Sequence, residues 1–185
     1  MKRLALAILL VGIGSSAAAQ TKAVKKDISL RGYFGVGGGL ALPVGAYGDE
    51  AKTGWLANAV GGFTTKSGVW GARADVMWAQ NSLKNEVGHE RLLGANVDAV
   101  LTPGHRPANA HPYFLAGVGL FNGKDSSPGV SGSDTKLALN AGLGLQVHTG
   151  HRTDVFLEGR YITIRTSGSP LNLVPITLGI RWGGI

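Results

Sequence analysis

The residues best suited to chemistry in this sequence lie close together between Ser82 and Glu90. Hydrolysis by a serine nucleophile requires a histidine as general base and a carboxylate that orients the histidine. Ser82, His89 and the acidic residues Glu86 and Glu90 supply these types in one polar segment. Such residues are also common in charged surface loops, so we assign no catalytic residues and predict that the chain is not an enzyme. A lipid-modifying enzyme that uses His89 is the alternative.

The other histidines do not form a metal-binding pattern. His148 and His151 are close in sequence, but they flank a tight turn and have no cysteine or third ligand near them. The glycine-rich runs lack the Gly-Lys-Ser or Gly-Lys-Thr ending of a phosphate-binding loop. The net charge of +7 comes from scattered residues and not from a basic patch. We therefore predict no metal, no cofactor and no nucleic-acid partner.

The N-terminus has the three parts of a secretory signal peptide. Lys2 and Arg3 precede an apolar run over Leu4–Ile13, and small residues follow up to Ala19. The apolar run is too short to span a membrane as a helix, which takes about 20 residues. We predict a cleavable signal peptide over residues 1–19, a short periplasmic leader over 20–32 and one β-barrel domain over 33–185.

Alternation with period two is clearest in the segment Val69–Ala79. One face carries Trp70, Ala72, Ala74, Val76 and Trp78, and the other carries Arg73 and Asp75. The two tryptophans are separated by roughly 20–25 Å on a tilted strand, which is about the height of the apolar band between the aromatic girdles of an outer-membrane barrel. The pattern therefore favours a strand that faces lipid on one side and a closed lumen on the other.

Similar alternation recurs along the chain and predicts eight strands. They are Tyr33–Pro43, Gly54–Thr65, Val69–Ala79, Glu90–Thr102, Pro112–Phe121, Thr135–His148, Asp154–Ile164 and Leu173–Trp182. The first and fifth are ambiguous, because apolar residues or glycine occupy both faces. Longer polar connections alternate with shorter ones, as in barrels that have short periplasmic turns and longer external loops. The predicted fold is an all-β, antiparallel, up-and-down transmembrane β-barrel of eight strands.

The predicted lumen contains charges of both signs. We expect a structural polar network of Arg73, Asp75, Asp98, Glu158, Arg160 and Arg181, whose formal charges sum to zero. The lumen of a barrel with about 8 strands is just wide enough for side chains to fill it. Charges enclosed there must be paired and hydrogen-bonded. On the outer face we expect an aromatic girdle of Trp55, Trp70, Trp78 and Trp182.

Two stretches carry a family resemblance. The segment Pro112–Leu120 (PYFLAGVGL) and the closing segment Ile176–Trp182 (ITLGIRW) resemble those of small outer-membrane β-barrel proteins of the OmpA, OmpX and opacity-protein type. The resemblance covers about residues 33–182. It implies insertion by the outer-membrane assembly machinery, which recognises a sequence signal in the final strand. Thr177, Gly179 and Trp182 match that signal in part.

The predicted function is a structural or surface-interaction role through the longer loops of an integral outer-membrane protein. We expect a monomer that is surrounded by outer-membrane lipid in the outer membrane of the cell, after export through the signal peptide. Besides the lipid-modifying enzyme, a soluble periplasmic β-barrel that binds an apolar ligand is an alternative.

Overall fold

The computed structural model describes residues 29–84, 89–103, 109–125, 133–150, 152–166 and 169–183. The predicted signal peptide lies outside these residues and stays a prediction, as does most of the predicted leader. The leader ends earlier than predicted, because the first strand begins at Leu30. Residues 30–32 pair with the end of the second strand, which extends the sheet in this direction.

The described chain forms eight strands and one short helix. In chain order they are β1 (Leu30–Val44), α1 (Ala46–Glu50), β2 (Gly54–Thr65), β3 (Trp70–Ser82), β4 (His89–Leu101), β5 (Ala110–Asp125), β6 (Ser133–Gly150), β7 (Thr153–Ile164) and β8 (Leu171–Gly183). Each strand pairs antiparallel with the next, and β8 pairs with β1, so the sheet closes into a barrel. The predicted antiparallel up-and-down barrel is confirmed.

The strand bounds differ from prediction at both ends of the barrel, and the largest extension lies at one of them. We call this end the loop end; it holds the connections β1–β2, β3–β4, β5–β6 and β7–β8. The turn end holds the other three connections, the start of β1 and the end of β8. At the loop end β5 continues to Asp125 and β6 begins at Ser133, because the polar residues there continue to pair across the ladder. Pairing with a neighbour therefore extends strands into sequence that is typical of loops.

Helix α1 was not predicted. It follows Gly45, whose φ of 62° reverses the chain after β1, and its single turn contacts β1 and β8. Five residues are too few to show a helical period in the sequence. In the described part of the chain, no helix has the length and apolar character needed to cross a membrane.

The two faces of the barrel wall have opposite chemistry. On the outer face, Leu143 and Val97 are 63% and 62% exposed. On the inner face, Glu158 and Asp98 are each 1% exposed. Apolar outside and polar inside is the reverse of a water-soluble domain, and it matches a barrel wall in contact with lipid.

Lumen-facing aromatic rings pack against glycines on the adjacent strand. In each case the ring lies directly across the ladder from the glycine: Tyr33 from Gly62, Phe121 from Gly94, Tyr113 from Gly144 and Phe156 from Gly179. A Cβ atom at Gly94 would lie 2.3 Å from Cε1 of Phe121, so glycine is required there to admit the ring. The high glycine content thus serves the filling of a narrow lumen.

Candidate functional site

A cluster of ion pairs fills the middle of the lumen. We call it the central network; its charged members are Arg73, Asp75, Asp98, Glu158 and Arg160. Arg73 donates two hydrogen bonds to the carboxylate of Glu158, at 2.7 and 3.1 Å. Arg160 donates from Nε to Glu158, at 2.5 Å, and from Nη1 to Asp75, at 2.7 Å. Glu158 is therefore held by both arginines.

Neutral side chains complete the central network. It contains three carboxyl groups and two guanidinium groups, so hydrogen-bond donors without charge are needed for the remaining carboxylate oxygens. Tyr113 donates its hydroxyl to Glu158 at 2.6 Å, and Asn140 donates to Asp98 at 2.9 Å. Asn96 donates to Asp75 at 3.1 Å. Tyr113 was missed in the sequence because its strand was ambiguous.

Arg181 does not join the central network, contrary to the expectation of one balanced set. Its guanidinium donates to Asp154 at 2.6 Å and lies 4.6 Å from the centre of the Tyr33 ring. Asp154 also contacts Nδ1 of His148 at 2.6 Å. The reason is position along the barrel, since Arg181 lies four residues beyond Thr177, which pairs with Glu158. We call Asp154 and Arg181 the turn-end pair.

The lumen is apolar at the loop end. Side chains of Leu56, Met77, Leu92, Phe121, Ile162 and Leu173 pack together with Tyr47 of helix α1, and we call this cluster the apolar layer. Phe121 is 1% exposed and Leu173 is fully buried. Helix α1 thus covers the loop end of the lumen with a tyrosine, above the central network. None of this layer was foreseen as a unit from the sequence.

The connections at the loop end are tied to one another. Asn81 donates to the carbonyl oxygens of Ala41 and Lys52, at 3.0 and 2.9 Å. Lys84 donates from Nζ to the carbonyl oxygen of Gly48 in α1, at 2.5 Å. These bonds join β1 and the β1–β2 connection to the end of β3 and the residues after it, so the segments over the lumen are hydrogen-bonded to one another.

All four tryptophans lie on the outer face, in two groups. Trp55 and Trp78 lie near the loop end, with ring centres 4.4 Å apart in an edge-on arrangement. Trp70 and Trp182 lie near the turn end, where Trp182 contacts Phe34 at 5.3 Å. The two groups therefore border the apolar band of the wall, at the positions that a girdle requires.

The structure brings together part of the hydrolase-like grouping. Ser82 and His89 face each other across β3 and β4 on the outer side of the barrel, with Oγ 3.3 Å from Nδ1. Glu90 follows on the opposite face of β4, and Glu86 lies outside the described residues. Among the residues that the structure describes, no group of three or more histidine, aspartate or glutamate side chains is placed to hold a metal ion.

A closed barrel of eight strands, with an apolar outer wall and buried ion pairs inside, defines an integral barrel protein of the outer-membrane type. The family model described as outer membrane protein beta-barrel domain matches residues 5–181. The chain belongs to this family, and it is an outer-membrane protein. This excludes the alternative of a soluble periplasmic barrel, and it confirms the resemblance to small barrels of the OmpA and OmpX type.

Solved structures share the fold at low sequence identity. The Neisserial surface protein A matches with a TM-score of 0.67 and 15% identity, over 82% of this chain and 96% of that chain. Ail of Yersinia pestis matches with a TM-score of 0.58 and 17% identity, over 83% and 97%. OprG of Pseudomonas aeruginosa matches with a TM-score of 0.58 and 13% identity, over 82% of this chain and 95% of that chain. No curated protein sequence matches this chain.

Proposed function

We propose that this protein is a closed, non-catalytic outer-membrane barrel that acts through the surface of its loop end, which faces the cell exterior. The observation that carries the proposal is the filled lumen. The central network occupies its middle, and the apolar layer with Tyr47 occupies its loop end. An interior of this kind offers no path for a solute, so the surfaces remain as the place of function.

Exposed cations at the loop end offer contacts to an anionic partner. The exposed cations of the loop end include Lys52, Lys84, Arg91 and Arg165, and the exposed anions Asp49 and Glu50 lie in and beside the same connections. Exposed cations attract polyanions over about one Debye length, roughly 8 Å at physiological salt. Ail, whose fold is similar, has been crystallised with the heparin analogue sucrose octasulfate. A sulfated glycan is therefore the first partner to test.

The test is the binding of cells that display the protein to a heparin-coated surface. The variant Lys52→Gln with Arg165→Gln removes two exposed loop-end cations, and we expect it to weaken binding and reduce its dependence on salt. Lys66→Gln is the matched control, because Lys66 is exposed in the turn between β2 and β3. Equal binding by all three proteins would contradict an anionic partner at the loop end.

A second candidate function rests on the contact between Ser82 and His89. In such a lipid hydrolase, Ser82 Oγ attacks an ester carbonyl carbon while His89 accepts the hydroxyl proton. The ester C–O bond then breaks, the leaving alcohol takes the proton, and water releases the fatty acid from the serine. Mass spectra of outer-membrane lipid from cells with the unmodified protein and with Ser82→Ala test this. A deacylated lipid that requires Ser82 would establish the enzyme in place of the non-catalytic barrel.

A further inference from the structure

The outer wall of the barrel contains an apolar groove on strands β2–β6. Its floor follows one cross-strand row in which Ala59, Val76, Ala95, Leu120 and Leu137 are successive partners. The next row toward the turn end adds Gly61, Ala74 and Val97. The alanine and glycine positions in these rows leave a depression with a volume of about 630 Å³ between larger side chains. This lies within the range of about 300–1,000 Å³ found for ligand pockets.

The opposite wall carries a row of leucine side chains. There Leu145, Leu157 and Leu178 are successive partners on β6, β7 and β8, and Leu178 is 60% exposed. Leucine side chains project from the wall where alanine and glycine lie in the groove. This leucine row and the groove therefore differ in the size of their side chains.

A cation lies above the groove, toward the loop end. Arg91 is on the same strand and face as Ala95, at four residues and thus roughly 13 Å, given about 3.3 Å per residue in a strand. Trp78 and Leu93 lie between them in one row, and Arg91 is exposed. Lys124 is its partner in the register on β5. Of the described outward-facing residues on β2–β5, none is acidic.

We propose that this groove and Arg91 together bind one acylated phosphoglycolipid of the outer leaflet. An acyl chain lies in the groove, passes the Trp78 ring, and leaves the phosphate beside Arg91. Charge complementarity supports this occupant, because an arginine just beyond the aromatic girdle lies at the depth of lipid phosphates. The proposal uses the same orientation of the loop end as the proposed function, but it concerns the wall and not the loops.

A second copy of the chain fits the same face poorly. A two-fold interface brings identical patches together, and two concave surfaces are not complementary. An axis along the membrane normal would also place Arg91 of each copy at the same height, and like charges across an interface are unfavourable. A phosphoglycolipid has flexible acyl chains that can fill the groove and an anionic phosphate that can pair with Arg91.

Native mass spectrometry of the refolded protein tests the proposal. Mixed micelles contain phosphatidylcholine and lipid A, a bisphosphorylated acylated glucosamine disaccharide, and the measured quantity is the lipid A retained per barrel. We expect the unmodified protein to retain one lipid A in preference to phosphatidylcholine. Arg91→Gln should lower that retention roughly fivefold, since one cation near an anionic surface contributes about that factor. Lys66→Gln, which removes an exposed cation at the turn end, should leave it unchanged.

The groove is tested by filling it. Ala74→Leu with Ala95→Leu should abolish the preference for lipid A, whereas Ala141→Leu on the outer face of β6 should not. Folding of each variant is checked by heat-modifiable gel migration, and Gly61→Leu is a second way to fill the groove. Equal retention by groove and control variants would overturn the proposal, as would a dimer that the groove variants disrupt. Ser82→Ala should retain lipid A normally, which separates binding from hydrolysis.

Discussion

The middle of the lumen and its loop end are filled with opposite chemistry. In the central network the side chain of Glu158 is 1% exposed and bonds to Arg73, Arg160 and Tyr113. In the apolar layer, Phe121 and Leu173 are equally buried but form no polar contacts of this kind. The first region relies on mutual satisfaction of charges, and the second relies on close packing.

This difference determines how each region should respond to damage. Removing one partner of a buried ion pair leaves a charge in a medium of low polarity without its best hydrogen bonds. Removing methylene groups from an apolar layer lowers the free energy of unfolding in two ways. The transfer free energy of the removed atoms is lost, and the cavity left behind adds a further cost. The central network should therefore fail as a unit, whereas the apolar layer should weaken in steps.

Glu158→Ala should have the largest effect. It leaves Arg73 without its two strongest bonds and Arg160 without one, and a broken buried pair costs about 3–5 kcal/mol. Urea unfolding of the barrel refolded in detergent, followed by tryptophan fluorescence, measures the loss. Thr177→Val is the control, since Thr177 is the ladder partner of Glu158 and is likewise buried. Similar stability for the two variants would mean that the network does not act as a unit.

Phe121→Ala should be next in size. The ring occupies the space over Gly94, so its loss leaves a cavity that a glycine wall cannot fill, and the expected cost is about 3 kcal/mol. Phe121→Leu should cost less, because part of the volume is retained. The same urea titration distinguishes them, and a graded series would mark the apolar layer as packed. A loss for Phe121→Leu as large as that for Phe121→Ala would contradict this.

The sequence predicted the wall of the barrel better than its contents. The bounds of β2 agree in full, because Gly54 and the turn after Thr65 mark both ends. The alternating faces of β3, β4 and β6 also agree, since the outer face of each is apolar and the inner face carries its polar residues. Strand β5 could not be assigned this way, because Leu115, Gly117 and Phe121 give its inner face the same apolar character as its outer face.

Two parts of the lumen were missed in the sequence, for different reasons. Asp154 lies at the start of β7, where a single acidic residue suggests a turn, although it continues the inward alternation of Phe156 and Glu158. That alternation could have identified Asp154 as a lumen-facing residue. The apolar layer arises only when Tyr47 of α1 folds over residues from several strands. Local patterns predict faces, but they do not predict which faces meet.

Asp154→Ala should have a smaller effect than either lumen variant above. Arg181 loses its carboxylate, but its side chain is already 14% exposed and still lies over the Tyr33 ring. We expect a loss of about 1–3 kcal/mol, as for a buried hydrogen bond whose partner is removed. Asp154→Asn keeps an acceptor for Arg181 and should fall between Asp154→Ala and the unmodified protein. A loss equal to that of Glu158→Ala would mean that the turn-end pair belongs to the central network.

The smallest expected effect is on ion conduction. Planar-bilayer recording of the refolded protein should give no steady porin-like current, because about 8 strands leave room for side chains only. Glu158→Gln perturbs the central network yet leaves the apolar layer and Tyr47 in place, and a hydrophobic constriction excludes ions by dewetting. We therefore expect no steady current from this variant either, despite its lower stability. Current from Glu158→Gln alone would show that the ion pairs close the lumen and the apolar layer does not. A large stable current from the unmodified protein would contradict a filled lumen, and with it the proposal that function lies on the surfaces.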